Sequence, residues 1–181
     1  LGSRLSERLE VSKLEFSSFD KNYQKNDERY LDVTDISTLE ALKDSSILIN
    51  LAAVHKDNIK PISLYDDVNV GGAKNICKIA EQHNINKIIF TSSVAVYGFA
   101  PKNTNEEGPI NYFNDYGRTK FEAEQIYSEW QSKDPTNRTL VIVRPTVIFG
   151  EGNRGNVYNL LNQIASGRFL MFGSGNNIKS M

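Results

Sequence analysis

Three short apolar runs limit what this chain can fold into. They are Ile47–Leu51, Lys87–Phe90 and Leu140–Val143, rich in Ile, Leu and Val. Between the first two, Leu64, Val68, Ile76, Ile79 and Ala80 outline a helix; between the last two, a helix runs from Tyr116 to about Trp130. Runs so short and apolar suit strands buried on both faces, as parallel sheets require. Strand and helix alternate, which predicts a doubly wound α/β fold: a parallel sheet with helices on both faces and right-handed connections. Such sheets bind nucleotides where the strand order reverses, beyond the carboxyl ends of the strands.

Weaker patterns fill in the rest. Leu1, Leu5 and Leu9 predict a helix over the first ten residues, so the chain opens inside a helix. Leu14-Glu15-Phe16 predicts a strand ending near Phe19-Asp20, and Arg29-Tyr30-Leu31 a shorter one ending at Asp32. Ile36, Leu39 and Leu42 mark a short helix capped by Asp35 or Ser37. Gly71-Gly72 interrupts the long helix while allowing close backbone approach. Residues 97–115 read as loop, and Gly150–Gly155 as another. Val157, Leu160, Leu161 and Ile164 give a further helix, and Phe169-Leu170-Met171 a short strand.

The 181 residues amount to about one domain, and the net charge of −1 implies no nucleic-acid or membrane-surface partner. No apolar run approaches the ~20 residues that span a bilayer. Cys77 is the only cysteine; it reads as a buried small hydrophobe and suits a reducing, cytoplasmic setting. His55 and His83 are too far apart in sequence for metal-ligand spacing, so no metal is expected.

The chemistry centres on Tyr116-Gly117-Arg118-Thr119-Lys120. Of eight tyrosines, only Tyr116 has a lysine four residues later. On a helix the two share a face. A cation there would lower the phenol from its ordinary ~10 toward neutral. Ser93 follows the strand at Phe90 and so sits at a strand exit. Taken alone, the spacing also fits a surface aromatic beside a solvated lysine.

Asn50-Leu51-Ala52-Ala53, Asn69-Val70-Gly71-Gly72, Thr91 to Gly98, Tyr116 to Lys120 and Arg144 to Gly150 occur together in this order. The chain thereby resembles the extended short-chain dehydrogenase/reductase family, in its NAD-dependent nucleotide-sugar epimerase/dehydratase branch. That resemblance implies a Rossmann fold, here without its first strand, over residues 1–150, and the start of a small substrate-binding region over 151–181. It also implies that the chain is a piece of a longer protein.

The cofactor implied is NAD. Gly2 resembles the last glycine of the family's phosphate-binding turn. Asp20, eighteen residues on, resembles the acid that binds the adenosine ribose and favours NAD over NADP; it is alternatively a turn residue before Lys21-Asn22. Asp32 and Val33 resemble the adenine-contacting pair, with Asp32 alternatively a helix cap. Leu51, Ala52 and Ala53 resemble the small-residue turn against the cofactor. Asn69 either approaches the nicotinamide or serves as a structural hydrogen-bonder. His55 is an exposed loop residue or faces the pyrophosphate. Thr146 would meet the carboxamide end.

The resemblance assigns catalysis to Ser93, Tyr116 and Lys120. Tyr116 takes the sugar hydroxyl's proton, Lys120 tunes it and holds the nicotinamide ribose, and Ser93 fixes the same sugar oxygen. On the substrate side, Asn156 and Phe172 are the candidates, with helix capping and core packing as their alternatives. The implied partner is a nucleotide-diphosphate sugar, and the implied assembly a homodimer. Family dehydratases carry an acidic pair where Val94 and Ala95 stand here, and neither residue can move a proton. The expectation is therefore a C4 epimerase acting through a 4-keto intermediate. A 4-ketoreductase of a nucleotide-linked deoxysugar, or a non-catalytic NAD-binding redox sensor, is the alternative.

Overall fold

The computed structural model describes residues 1–56, 59–171 and 173–175. It divides into two units, Leu1–Arg144 and Pro145–Met181. The first is built on three parallel strands, β1 (Leu48–Asn50), β2 (Lys87–Thr91) and β3 (Thr139–Val143), in the order β1-β2-β3. Leu48 pairs with Ile88, and Ile88 with Leu140, so the three apolar runs lie in register.

Strand residues alternate between two faces. Leu48, Ile88 and Phe90 point into the core, where they meet Ile76, Ile79, Ala80, Ala123, Tyr127 and Trp130. These last residues come from α3 (Gly72–Gln82) and α4 (Asp115–Ser132). The opposite face is half open, with Ile49 at 39% and Val141 at 45% exposure. The expectation that these strands are buried on both faces, with helices on each, is thus met on one face among the described residues.

α1 spans Gly2–Val11. The long central helix has an unexpected middle. α2 (Ser63–Tyr65) runs through π-helical turns at Asp66–Gly71 straight into α3. Gly71-Gly72 therefore does not break the helix. A Cβ on Gly72 would lie 2.8 Å from Val33 Cγ2, so the missing side chain lets the helix seat against Val33. Such one-turn π insertions shift which side chains face inward.

Two early strands do not form. Leu14–Asp20 and Arg29–Leu31 are joined only by one parallel bridge, Asp20 to Tyr30. Among the described residues neither has a second partner to extend the ladder. Ile36–Leu42 condenses to a 3₁₀ helix at Thr38–Leu42, with Leu39 fully buried. In the second unit, α5 (Asn156–Ala165) forms as expected. Phe169-Leu170-Met171 is not a strand; among the described residues no strand pairs with it, and Leu170 is 73% exposed.

Candidate active site

Three elements of the first unit converge beyond the carboxyl end of β2. The strand ends at Thr91, Ser92 and Ser93 follow, and a 3₁₀ turn covers Val94–Tyr97. Ser93 caps that turn, its hydroxyl oxygen accepting the Ala95 N–H at 3.2 Å. α4 begins on the other side, capped by Asn114, whose carbonyl accepts the Gly117 N–H at 2.8 Å. The two caps are held together tightly. A Cβ on Gly117 would lie 2.5 Å from the Ala95 carbonyl oxygen, so only glycine lets the helix come this close. Ser93 and Tyr116 are thereby brought close enough for the serine hydroxyl to act on the phenol.

Lys120 lies one turn further along α4. Only 2% exposed, it carries its ammonium 4.2 Å above the Phe90 ring, which also packs on Tyr127. Burial pulls the amine down to about 8, and the Glu124 carboxylate opposes that. The ring's electron-rich face favours the charged form as well.

Tyr116 corrects an expectation. Burial pushes its phenol above the ordinary value, and only the Ser93 hydrogen bond works the other way. Lysine does not lower the phenol in this state: burial brings its amine down to about 8, so it has lost its charge before the raised phenol titrates.

A second layer holds the lysine's surroundings. Glu124, 3% exposed by side chain, takes two hydrogen bonds from Arg144 at the end of β3, at 2.9 and 2.5 Å. Arg144 also donates to the Tyr97 hydroxyl and to the Glu106 carbonyl. No spacing or motif points to this pair, since the two residues lie on different elements. The resemblance quoted Arg144 but not Glu124.

The expected cofactor residues fall in two groups. Gly2, in the first turn of α1, sits against Leu51: a Cβ there would lie 3.6 Å from Leu51 Cδ1. The Ala52 N–H donates to the Asn50 side chain at 3.0 Å, and Asn50 in turn donates to Tyr127. The small-residue turn Leu51-Ala52-Ala53 and the unfilled amides of a helix N-terminus thus adjoin each other, which suits a phosphate. His55 is exposed.

Asp20 is exposed and accepts the Asn22 N–H at 2.9 Å, the turn alternative, which still leaves it open to solvent. Asp32 accepts both the N–H and the hydroxyl of Thr34 in a local turn and is not a helix cap, since the 3₁₀ helix that follows starts after Ser37. Val33 is a core residue whose carbonyl accepts from Asn75. Asn69 resolves to the structural alternative. Its carbonyl accepts the Val54 N–H, and its amide donates to the Val54 carbonyl and to Thr119. Buried and fully engaged, it clamps the loop after β1 to α4 and has no donor left for nicotinamide.

Thr146 and Asn156 belong to the second unit and are exposed there. Gly155, not Asn156, is the N-cap of α5. Phe172 lies outside the described residues. Among the described residues no cluster of His, Cys, Asp or Glu could hold a metal, and no helix is long and apolar enough to cross a membrane. Burial pushes the Cys77 thiol up to about 12.

Residues 1–180 match the profile of the NAD dependent epimerase/dehydratase family. The chain is 53% identical over 151 residues to the N-acetyl-alpha-D-glucosaminyl-diphospho-ditrans,octacis-undecaprenol 4-epimerase of Escherichia coli O157:H7, covering 83% of this chain and 46% of that protein. It is 31% identical over 143 residues to the UDP-glucose 4-epimerase of Vibrio cholerae, covering 74% and 42%. Among solved structures, MoeE5 in complex with UDP-glucose and NAD superposes with a TM-score of 0.82 at 21% identity, over 96% of this chain and 61% of that one. The chain spans about half the length of the curated relatives it matches. The match along nearly the whole chain, on a parallel sheet with Ser93, Tyr116 and Lys120 gathered at a strand exit, shows that this protein belongs to the NAD-dependent epimerase/dehydratase family.

Proposed function

We propose that the protein is an NAD-dependent epimerase acting at C4 of a sugar diphosphate through a 4-keto intermediate. The observation that carries this reading is Lys120 buried one helical turn from Tyr116, with the Ser93 hydroxyl acting on the same phenol. Bound NAD supplies reversible oxidation of a carbinol carbon. Gly2, Leu51, Ala52 and Ala53 would hold its pyrophosphate, Asp20 the adenosine ribose, Asp32 and Val33 the adenine, Thr146 the carboxamide and Lys120 the nicotinamide ribose. The adjoining α1 N-terminus and small-residue turn support that assignment.

The chain's own residues handle the proton. Ser93 and Tyr116 together present two oxygens to one sugar hydroxyl. Tyr116 would accept the proton from that hydroxyl and return it to the same oxygen when the carbon is reduced again from its opposite face. The raised phenol needs a cation close by to ionise, and Lys120 remains charged below about pH 8. Val94 and Ala95 offer no side-chain acid or base for a dehydration. Asn156 and Phe172 stand on the substrate side of this proposal. So do the division into a cofactor-binding part (1–150) and the start of a substrate part (151–181), the homodimer and the cytoplasmic setting.

Two carriers fit the diphosphate. A nucleotide is the carrier expected from the sequence, and the UDP-glucose 4-epimerase relative acts on one. The higher identity, 53%, is to a relative named for an undecaprenol-diphosphate sugar, and it favours a polyprenyl carrier.

The test uses the full-length protein with catalytic NAD and N-acetylglucosamine on either carrier. Interconversion with the galacto epimer, without net NADH, is the expected result. Stoichiometric NADH consumption with a 4-keto sugar would identify a ketoreductase instead, and NAD binding without any turnover a sensor. Tyr116→Phe should lower kcat by about 10²–10⁴-fold and spare NAD affinity. Full residual activity would falsify the role given to the phenol.

A further inference from the structure

The loop leading into α4 exposes a pair of aromatic rings that the chemistry above does not use. Phe99 is 85% exposed and Phe113 59% exposed. Their rings stack on each other, with centroids 4.6 Å apart and planes 24° from parallel. The backbone beneath them is fixed. The Asn111 N–H donates to the Val96 carbonyl at 3.0 Å. Gly98 holds φ +61°, and a Cβ on it would lie 1.9 Å from the Asn111 carbonyl oxygen. Two chain segments are thus pinned together, and each presents one ring to solvent beside the other.

Helix capping does not account for Phe113. It immediately precedes the Asn114 cap, the position from which an apolar side chain commonly packs on the fourth helical residue. Here that residue is Arg118, whose guanidinium is taken by Asp66, Asp115 and Glu122. Phe113 stacks on Phe99 instead and leaves an apolar strip facing water. Phe113 and Tyr116 are three positions apart in the chain, so their Cα atoms lie within about 11 Å. A substrate whose sugar meets Tyr116 would carry its diphosphate-linked tail out close to this strip.

We propose that Phe99 and Phe113 dock the first isoprene units of a polyprenyl-diphosphate carrier. This rests on the polyprenyl reading given under the proposed function, and it assigns that carrier a place on the chain. A branched apolar chain with flat alkene units gains most from aromatic faces, and it has no polar atoms to satisfy. A nucleotide would need hydrogen-bond partners for its base and ribose, which two phenyl rings do not provide.

The experiment compares full-length wild-type protein with the double variant Phe99→Ser/Phe113→Ser on both carriers. The expected result is a KM for the polyprenyl-linked sugar raised about tenfold, the size of a lost aromatic anchor, with kcat and UDP-sugar kinetics unchanged. An unchanged polyprenyl KM, or an equal change on both carriers, would overturn the proposal while leaving epimerisation intact. A rise confined to the UDP-sugar would point to base stacking and overturn it too. A second measurement needs no turnover: co-sedimentation with phosphatidylcholine vesicles, with and without undecaprenyl diphosphate. Wild type should pellet only with the lipid diphosphate present, and the double variant with neither. Pelleting with plain vesicles, or by the variant, would sink the chain-docking site even if no sugar is epimerised.

Discussion

The residue that sets the site's electrostatics is one that neither spacing nor motif singled out. Glu124 is the charge that props up Lys120 against burial, and Arg144 holds the Glu124 carboxylate in place. Lys120 titrates at about 8, so it is charged at neutral pH and loses that charge as pH rises past 8. Glu124→Gln removes the carboxylate and leaves the half-buried Arg144 cation uncompensated nearby. Both changes disfavour a second cation, so the lysine should fall below 8. The alkaline limb of the kcat/KM profile should then move to lower pH, while Glu124→Asp, which keeps the charge, should move it much less. Identical limbs in wild type and Glu124→Gln would show that the carboxylate is only a packing group. Truncation to Ala is a harsher change: breaking a buried pair costs about 3–5 kcal/mol, visible as a lower denaturant midpoint.

At the level of elements, the site exists because α4 can touch the turn after β2, and Gly117 is the point of contact. Gly117→Ala places a methyl 2.5 Å from the Ala95 oxygen and 2.9 Å from Tyr112 Cβ. The helix must then move off the turn, at about 1–3 kcal/mol for overpacking, and Ser93 and Tyr116 must part. Turnover should fall together with stability, whereas Tyr116→Phe should affect turnover alone; unaltered kinetics in Gly117→Ala would mean the approach is slack. The sequence made these elements legible wherever a period was strong: β1, β2, β3, α3 and α4 follow their apolar positions. It failed where formation depends on a partner. Leu14–Asp20 carries a strand-like run but gains a single bridge at Asp20, because a strand is stabilised by its neighbour and not by its own pattern. The proposed catalytic trio was legible because Tyr116 and Lys120 are local and Ser93 follows a readable strand. The Glu124–Arg144 pair and the Phe99–Phe113 stack were not, since each joins positions on different segments.

For the molecule as a whole, the distribution of buried surface predicts very unequal stability along the chain. Every member of the hydrophobic core, from Val33 to Trp130, belongs to the Leu1–Arg144 unit. In the Pro145–Met181 unit, α5 has no buried residue, and Leu160, Leu161 and Ile164 are 44%, 59% and 52% exposed. α5 is ten residues long, and isolated helices shorter than ~12–15 residues are marginal in water. Its apolar stripe, Val157 to Ile164, therefore stabilises nothing until something covers it. In the 181-residue chain, amide exchange should be slow in β2, α3 and the middle of α4, where opening exposes Phe90, Ile79 and Tyr127. It should be near the unprotected rate throughout α5, because local opening there sacrifices only the helix's own hydrogen bonds. Hydrogen-exchange mass spectrometry of peptides covering residues 72–82, 115–132 and 156–165 measures this directly. Protection of the last peptide equal to that of the other two would mean that α5 shares the cooperative unit of the sheet, and the two-unit picture would have to be abandoned.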